Sequence, residues 1–127
     1  MELTHVRLVT KDVPRLVSFY HDITGIEPVI SSDDYVELRS NHGILAICSQ
    51  RSFELYGVGA AMPQDNRTAI IEFKVNDVDV ERFRLDGLVS EFVLEPTSQP
   101  WGNRSMLFRD PDGNLINFFA PLNRQQL

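Results

Sequence analysis

His5-Val6-Arg7-Leu8 with Asp12-Val13 behind it, and Ile70-Ile71-Glu72-Phe73 with Asp77-Val78 behind it, are the two stretches whose likeness decides the fold. A shift of 65 positions lays the first on the second, so that a strand, a helix cap and a helix start coincide. Residues 3–10 read as a strand, with Val6 and Leu8 on one face and His5, Arg7 and Val9 on the other. Asp12 can cap the next helix by accepting from the free amides of its first turn, where Pro14 costs nothing. Leu16, Val17, Phe19, Tyr20 and Ile23 follow at helical spacing, and Gly25 ends the helix. The second stretch repeats this plan. Residues 68–75 form a strand with Ile71, Phe73 and Val75 on one face, Asp77 caps a helix through about Leu85, and Gly87 closes it.

Three strands are expected after each helix. In the first half they are residues 26–31, 35–39 and 44–49, the last two joined by the Asn41-His42-Gly43 turn. In the second half they are residues 89–94, 105–109 and 115–121, the last two joined by Asp110-Pro111-Asp112-Gly113-Asn114, a strong turn signal. An internal duplication of this kind predicts an α+β domain of two βαβββ modules, about 1–49 and 67–121, within a single domain of 127 residues. Each module buries one sheet face under its helix. The other face is free to curl, giving a curved, mostly antiparallel sheet around a cavity. Residues 50–66 read as a linker in which Phe53 and Tyr56 either form a lid or anchor the segment, and the polar tail 122–127 reads as loose.

Composition narrows the function. The net charge is −6, shared as −3 over residues 1–63 and −3 over residues 64–127. Neither half is basic, so nucleic acid is not an expected partner. No apolar run approaches the roughly 18 residues a spanning helix needs, so no membrane is expected. Met1-Glu2-Leu3-Thr4-His5 does not read as a secretory signal, and the cytoplasm is the expected location. Cys48 is the one cysteine. It makes no internal disulfide, and its apolar run from Gly43 suggests packing.

With the strand carrying His5, the Asp12-Val13 cap, Phe19-Tyr20 in the helix, Gly25 after it and the closing segment Phe108-Arg109-Asp110-Pro111-Asp112-Gly113-Asn114-Leu115-Ile116, the chain resembles the vicinal oxygen chelate superfamily of glyoxalases, bleomycin-resistance proteins and extradiol dioxygenases. The resemblance covers residues 1 to about 121. It implies a divalent metal held by four positions, which fall here on His5, Ala46, Ile70 and Asn117. Alanine and isoleucine cannot ligate, and asparagine is a poor ligand. Zinc and iron sites need about three competent protein ligands. Glu72 has the parity to join His5, while His21 lies in a helix and His42 in a turn. No metal and no other cofactor is therefore expected.

Strand parity gives the cavity lining as His5, Arg7, Val9, Ile44, Ala46, Cys48, Ile70, Glu72, Lys74, Leu115, Asn117 and Phe119. Arg7 and Glu72 hold equivalent places in the two modules. Among these, His5, Arg7, Cys48, Glu72, Asn117 and Phe119 are candidate ligand-binding residues, and His5 and Glu72 are candidate acid–base groups. Gln99-Pro100-Trp101-Gly102-Asn103-Arg104 resembles a segment at the cavity mouth of bleomycin-resistance-like members. Trp101 offers a face for aromatic or cationic groups, and Arg104 a fork for a carboxylate. Trp101 could equally plug the mouth or a dimer interface. The leading expectation is a homodimer binding an aromatic or cationic small molecule in a metal-free cavity. The alternatives are a metal-dependent lyase, isomerase or dioxygenase of the glyoxalase type, and a domain whose cavity is filled and whose role is association.

Overall fold

A computed structural model describes residues 1–122 of the chain, apart from the Tyr56 side chain. The reading of Tyr56 as part of a lid, and of residues 123–127 as a loose tail, falls outside the described residues. The chain divides into two compact units, Met1–Asp65 and Asn66–Leu127.

The first unit runs β1 (His5–Thr10), α1 (Val13–Thr24), β2 (Val29–Ser32), β3 (Tyr35–Arg39), β4 (Ile44–Ser49) and α2 (Gln50–Gly57). Asp12 caps α1, its Oδ1 accepting from the Arg15 N–H at 3.1 Å. Gly25 takes the left-handed conformation that ends the helix, with φ 72° and its N–H donating to the His21 carbonyl at 2.8 Å. The strands order β1-β4-β3-β2. β1 pairs parallel to β4, and the other two pairings are antiparallel. Leu16, Tyr20 and Ile23 of α1 are buried, as are Val36 and Leu38 of β3 and Leu45 and Ile47 of β4. The alternate positions of those strands make the opposite face. In register it reads His5, Ile44, Arg39; then Arg7, Ala46, Glu37; then Val9, Cys48, Tyr35.

The second unit runs β5 (Ile70–Lys74), α3 (Val78–Arg84), β6 (Phe92–Ser98), β7 (Asn103–Arg109) and β8 (Leu115–Pro121), with strand order β5-β8-β7-β6. The pairing is again one parallel contact, β5 with β8, and two antiparallel. Asp77 caps α3 through Oδ1 and the Val80 N–H at 3.1 Å. An aromatic row forms the core face: Phe73 meets Phe118 edge-on at 5.7 Å, and Phe118 meets Phe108 at 5.0 Å. The opposite face carries Ile70, Leu115, Arg109; Glu72, Asn117, Leu107; and Lys74, Phe119, Ser105. The βαβββ duplication is thus present as two four-stranded mixed sheets.

Beyond shifts of one or two residues at the ends of β1, β5 and β7, three elements differ from the sequence reading. The stretch read as a linker holds α2, because Ser49 caps it by accepting from the Ser52 N–H at 3.0 Å. β2 starts at Val29, after Pro28, which has no N–H for a ladder. β6 covers 92–98 instead of 89–94. Val89 is spent closing α3, its N–H bonded to the Leu85 carbonyl at 3.1 Å. Pro96 is carried inside β6 because that strand is an edge whose register shifts between Leu94 and Thr97.

The Asp110–Asn114 turn is a structural clasp. Asp110 Oδ1 accepts from the N–H groups of Asp112 at 2.8 Å and Asn114 at 2.9 Å, and Oδ2 accepts from Asn114 Nδ2 at 2.7 Å. Asn66 Nδ2 donates to Asn114 Oδ1 at 3.2 Å, so the clasp also ties down the approach to β5. Gly113, with φ 87°, supplies the turn conformation that side chains resist. Among the described residues no helix is long and apolar enough to cross a membrane.

Candidate functional site

On the open face of the first sheet, the side chains of β3 and β1 converge on one carboxylate. Glu37 Oε2 accepts from the Tyr35 hydroxyl at 2.8 Å and from His5 Nε2 at 3.2 Å. Its Oε1 accepts from Arg39 Nε and Nη2, both at 2.9 Å. Strand alternation places Tyr35, Glu37 and Arg39 on that face together, and the β1–β4–β3 register brings His5 alongside. The Glu37 side chain is only 12% exposed. The Tyr35 hydroxyl first, then Arg39, hold the Glu37 carboxyl below the ordinary glutamate range. Burial, and then the Glu37 charge, push the Tyr35 phenol up.

His5 lies between two partners, Glu37 at Nε2 and the Thr4 hydroxyl at Nδ1, 2.7 Å away. An ionised carboxylate only accepts, so Nε2 carries a proton, and in the neutral ring Nδ1 is the lone pair facing Thr4. A histidine held by a carboxylate in this way is oriented for proton transfer through its other nitrogen. It can offer Nε2 to a metal only by giving up Glu37.

Arg7 lies over the Tyr35 ring, its guanidinium carbon 5.5 Å from the ring centre. Arg7 also reaches the Cys48 thiol. Cys48 is 1% exposed. Burial pushes its thiol up, against the opposing pull of Arg7, so it is a packed thiol and no thiolate nucleophile. Ala46 is fully buried and lies between Arg7 and Glu37 in the register.

On the open face of the second sheet, Asn117 Nδ2 donates to Glu72 Oε2 at 2.9 Å. Asn117 Oδ1 is buried and has no hydrogen-bond partner. Phe119 is half-buried beside Lys74 in the register. Trp101 sits in the β6–β7 turn and is 70% exposed. Arg104 already holds a carboxylate: its Nε and Nη2 grip Asp79 at 2.7 and 2.9 Å, and Nη1 donates to Ser98 Oγ at 3.1 Å. That fork pins α3 to β7 and holds the Asp79 carboxyl below its usual range.

Of the residues singled out from sequence, the structure therefore brings together Glu72 with Asn117, and Arg7 with Cys48. It places His5 against Glu37, which parity reasoning left out of the lining. The signal for Glu37 was present in Tyr35-Val36-Glu37-Leu38-Arg39, whose alternation puts three polar groups on one face. The donor set does not fit a metal ion. Two of the four positions the resemblance implies, Ala46 and Ile70, have no donor atom. Asn117 commits its amide nitrogen to Glu72. Among the described residues no three His, Cys, Asp or Glu side chains are grouped to hold an ion.

A family model described as Glyoxalase/Bleomycin resistance protein/Dioxygenase superfamily matches residues 2–118. The Uncharacterized protein YraH of Bacillus subtilis (strain 168) is 27% identical over 135 residues, covering 96% of this chain and 100% of that protein. A glyoxalase/bleomycin resistance protein/dioxygenase family enzyme from Burkholderia phytofirmans PsJN has TM-score 0.86 at 16% identity, over 96% of this chain and 100% of its own. A glyoxalase/bleomycin resistance protein/dioxygenase from Nocardioides has TM-score 0.79 at 23% identity, over 98% of this chain and 85% of its own. At these identities the two structures speak for the fold alone.

Proposed function

The chain belongs to the glyoxalase/bleomycin resistance protein/dioxygenase superfamily, and on that premise we propose that it binds a small organic molecule without the help of a metal ion. The observation that carries this reading is the state of the four positions where its relatives' resemblance places ligands. Ala46 and Ile70 are alkyl, His5 is bound to Glu37, and Asn117 is a neutral amide bound to Glu72. The two open sheet faces mix apolar positions, Val9, Ile44, Ile70, Leu107, Leu115 and Phe119 among them, with polar and charged ones, and such a mixture supports recognition of a small molecule by shape and hydrogen bonds.

Metal analysis of protein purified without chelator tests the proposal, together with fluorescence titration of Trp101, the one tryptophan. The expected result is substoichiometric transition metal and saturable quenching by members of an aromatic and cationic panel. A stoichiometric transition metal that is lost in His5→Ala would contradict it.

A second reading, acid–base catalysis at His5, has one observation in its favour: the ring is oriented by Glu37 and backed by Thr4. It requires turnover that disappears in His5→Gln and depends on pH through one ionisation.

A further inference from the structure

Resting on the small-molecule reading above, we infer that Glu72 and Asn117 form a receptor for an organic cation carrying at least one N–H, a primary ammonium on an apolar body. The two residues face each other across the β5–β8 pairing. The bond from Asn117 Nδ2 to Glu72 Oε2, 2.9 Å long, fixes which end of the amide meets the carboxylate, since a carboxylate can only accept. Asn117 Oδ1 is thereby turned away, and it is buried without a donor. A buried carbonyl oxygen lacking a donor costs free energy that an incoming N–H recovers.

Glu72 supplies the charge. It is exposed, and among the described residues it takes part in no ion pair. Lys74, two positions along the same face, does not close on it. Glu37 on the other sheet is the opposite case, with Tyr35, His5 and Arg39 occupying both its oxygens. The register sets Ile70, Leu115, Leu107 and Phe119 beside the Glu72–Asn117 pair, with Lys74, Ser105 and Arg109 at the outer positions, Arg109 being held by Glu91. One anionic acceptor and one unsatisfied neutral acceptor, with four apolar side chains beside them, complement an ammonium whose substituent is hydrophobic. A neutral alcohol lacks the charge for Glu72. A quaternary ammonium lacks the N–H for Asn117 Oδ1.

The test uses the full chain and three probes of one shape: phenethylammonium, phenethyl alcohol and phenethyltrimethylammonium, titrated by calorimetry. Phenethylammonium is expected to bind about tenfold or more tightly than either control, the gain of a charge-assisted hydrogen bond. Glu72→Gln, an isosteric change at an exposed site, is expected to weaken phenethylammonium by roughly ten- to a hundredfold and phenethyl alcohol by much less, so that the preference for the ammonium collapses. Asn117→Leu is expected to erase the preference for the primary over the quaternary ammonium. In the unaltered protein, phenethylammonium is expected to shift the Asn117 side-chain amide resonances, a reading that needs no variant to fold. Equal affinity for the ammonium and the alcohol, or an unchanged affinity in Glu72→Gln, overturns this inference and leaves small-molecule binding standing. Failure of all three probes and of the wider aromatic panel overturns both.

Discussion

The open faces of the two sheets make an instructive pair. Each comes from the same strand order, with one parallel and two antiparallel pairings, under a helix capped by an aspartate. Each carries one glutamate beside the strand that closes its unit. Glu37 is met by three side chains and is mostly buried, so its charge is spent inside the protein. Glu72 is met by one amide and is exposed, and that amide is left with an idle oxygen. The same residue type on duplicated scaffolds is thus a structural anchor in one place and an unspent acceptor in the other. What a polar group can do follows from which of its hydrogen bonds are still open.

The contrast can be broken or sharpened by substitution, with urea unfolding as the common measurement. The largest effect belongs to the shared scaffold: Phe118→Ala, between the Phe73 and Phe108 rings, should cost about 3–5 kcal/mol. Next, Glu37→Gln should cost about 1–3 kcal/mol at neutral pH, because it strips the anion from its three donors. That difference carries a pH signature. The Glu37 carboxyl is held below the ordinary glutamate value of 4.5, so its contribution is complete above that value and is lost as pH falls through the lower folded value. The gap between the unaltered protein and Glu37→Gln should therefore close on acidification. Tyr35→Phe should cost less, about 0.5–1.5 kcal/mol for one hydroxyl donor. Smallest of all, Glu72→Gln should change stability by no more than about 0.5 kcal/mol, as for an exposed site whose one hydrogen-bond donor, the Asn117 amide, a glutamine oxygen can still accept from. A cost for Glu72→Gln equal to that of Glu37→Gln would abolish the contrast.

Much of the fold was legible because its signals are local. Asp12 and Asp77 announce helix starts, Gly25 ends a helix, and Asp110-Pro111-Asp112-Gly113-Asn114 announces a hairpin. The duplication then supplies long-range order that no single segment encodes. α2 is hidden in the sequence because its cap, Ser49, is also the last residue of β4, and one residue serves both roles. β6 was misplaced because Pro96 argues against a strand unless that strand lies at an edge, which is a property of the assembled sheet. For the candidate residues, the sheet face was legible and the pairing was not. Parity put His5, Glu72 and Asn117 on open faces. The convergence of His5 on Glu37 depends on a register that joins positions 32 residues apart, through the intervening β4. Arg104 looked like a free fork for a carboxylate, and the carboxylate it takes, Asp79, lies in a different element.

The most direct measurement is the affinity for phenethylammonium before and after exhaustive dialysis against EDTA. The expected result is one dissociation constant, unchanged by the chelator and by added zinc, iron or manganese. Binding that vanishes with EDTA and returns with a transition metal would contradict recognition by side chains alone.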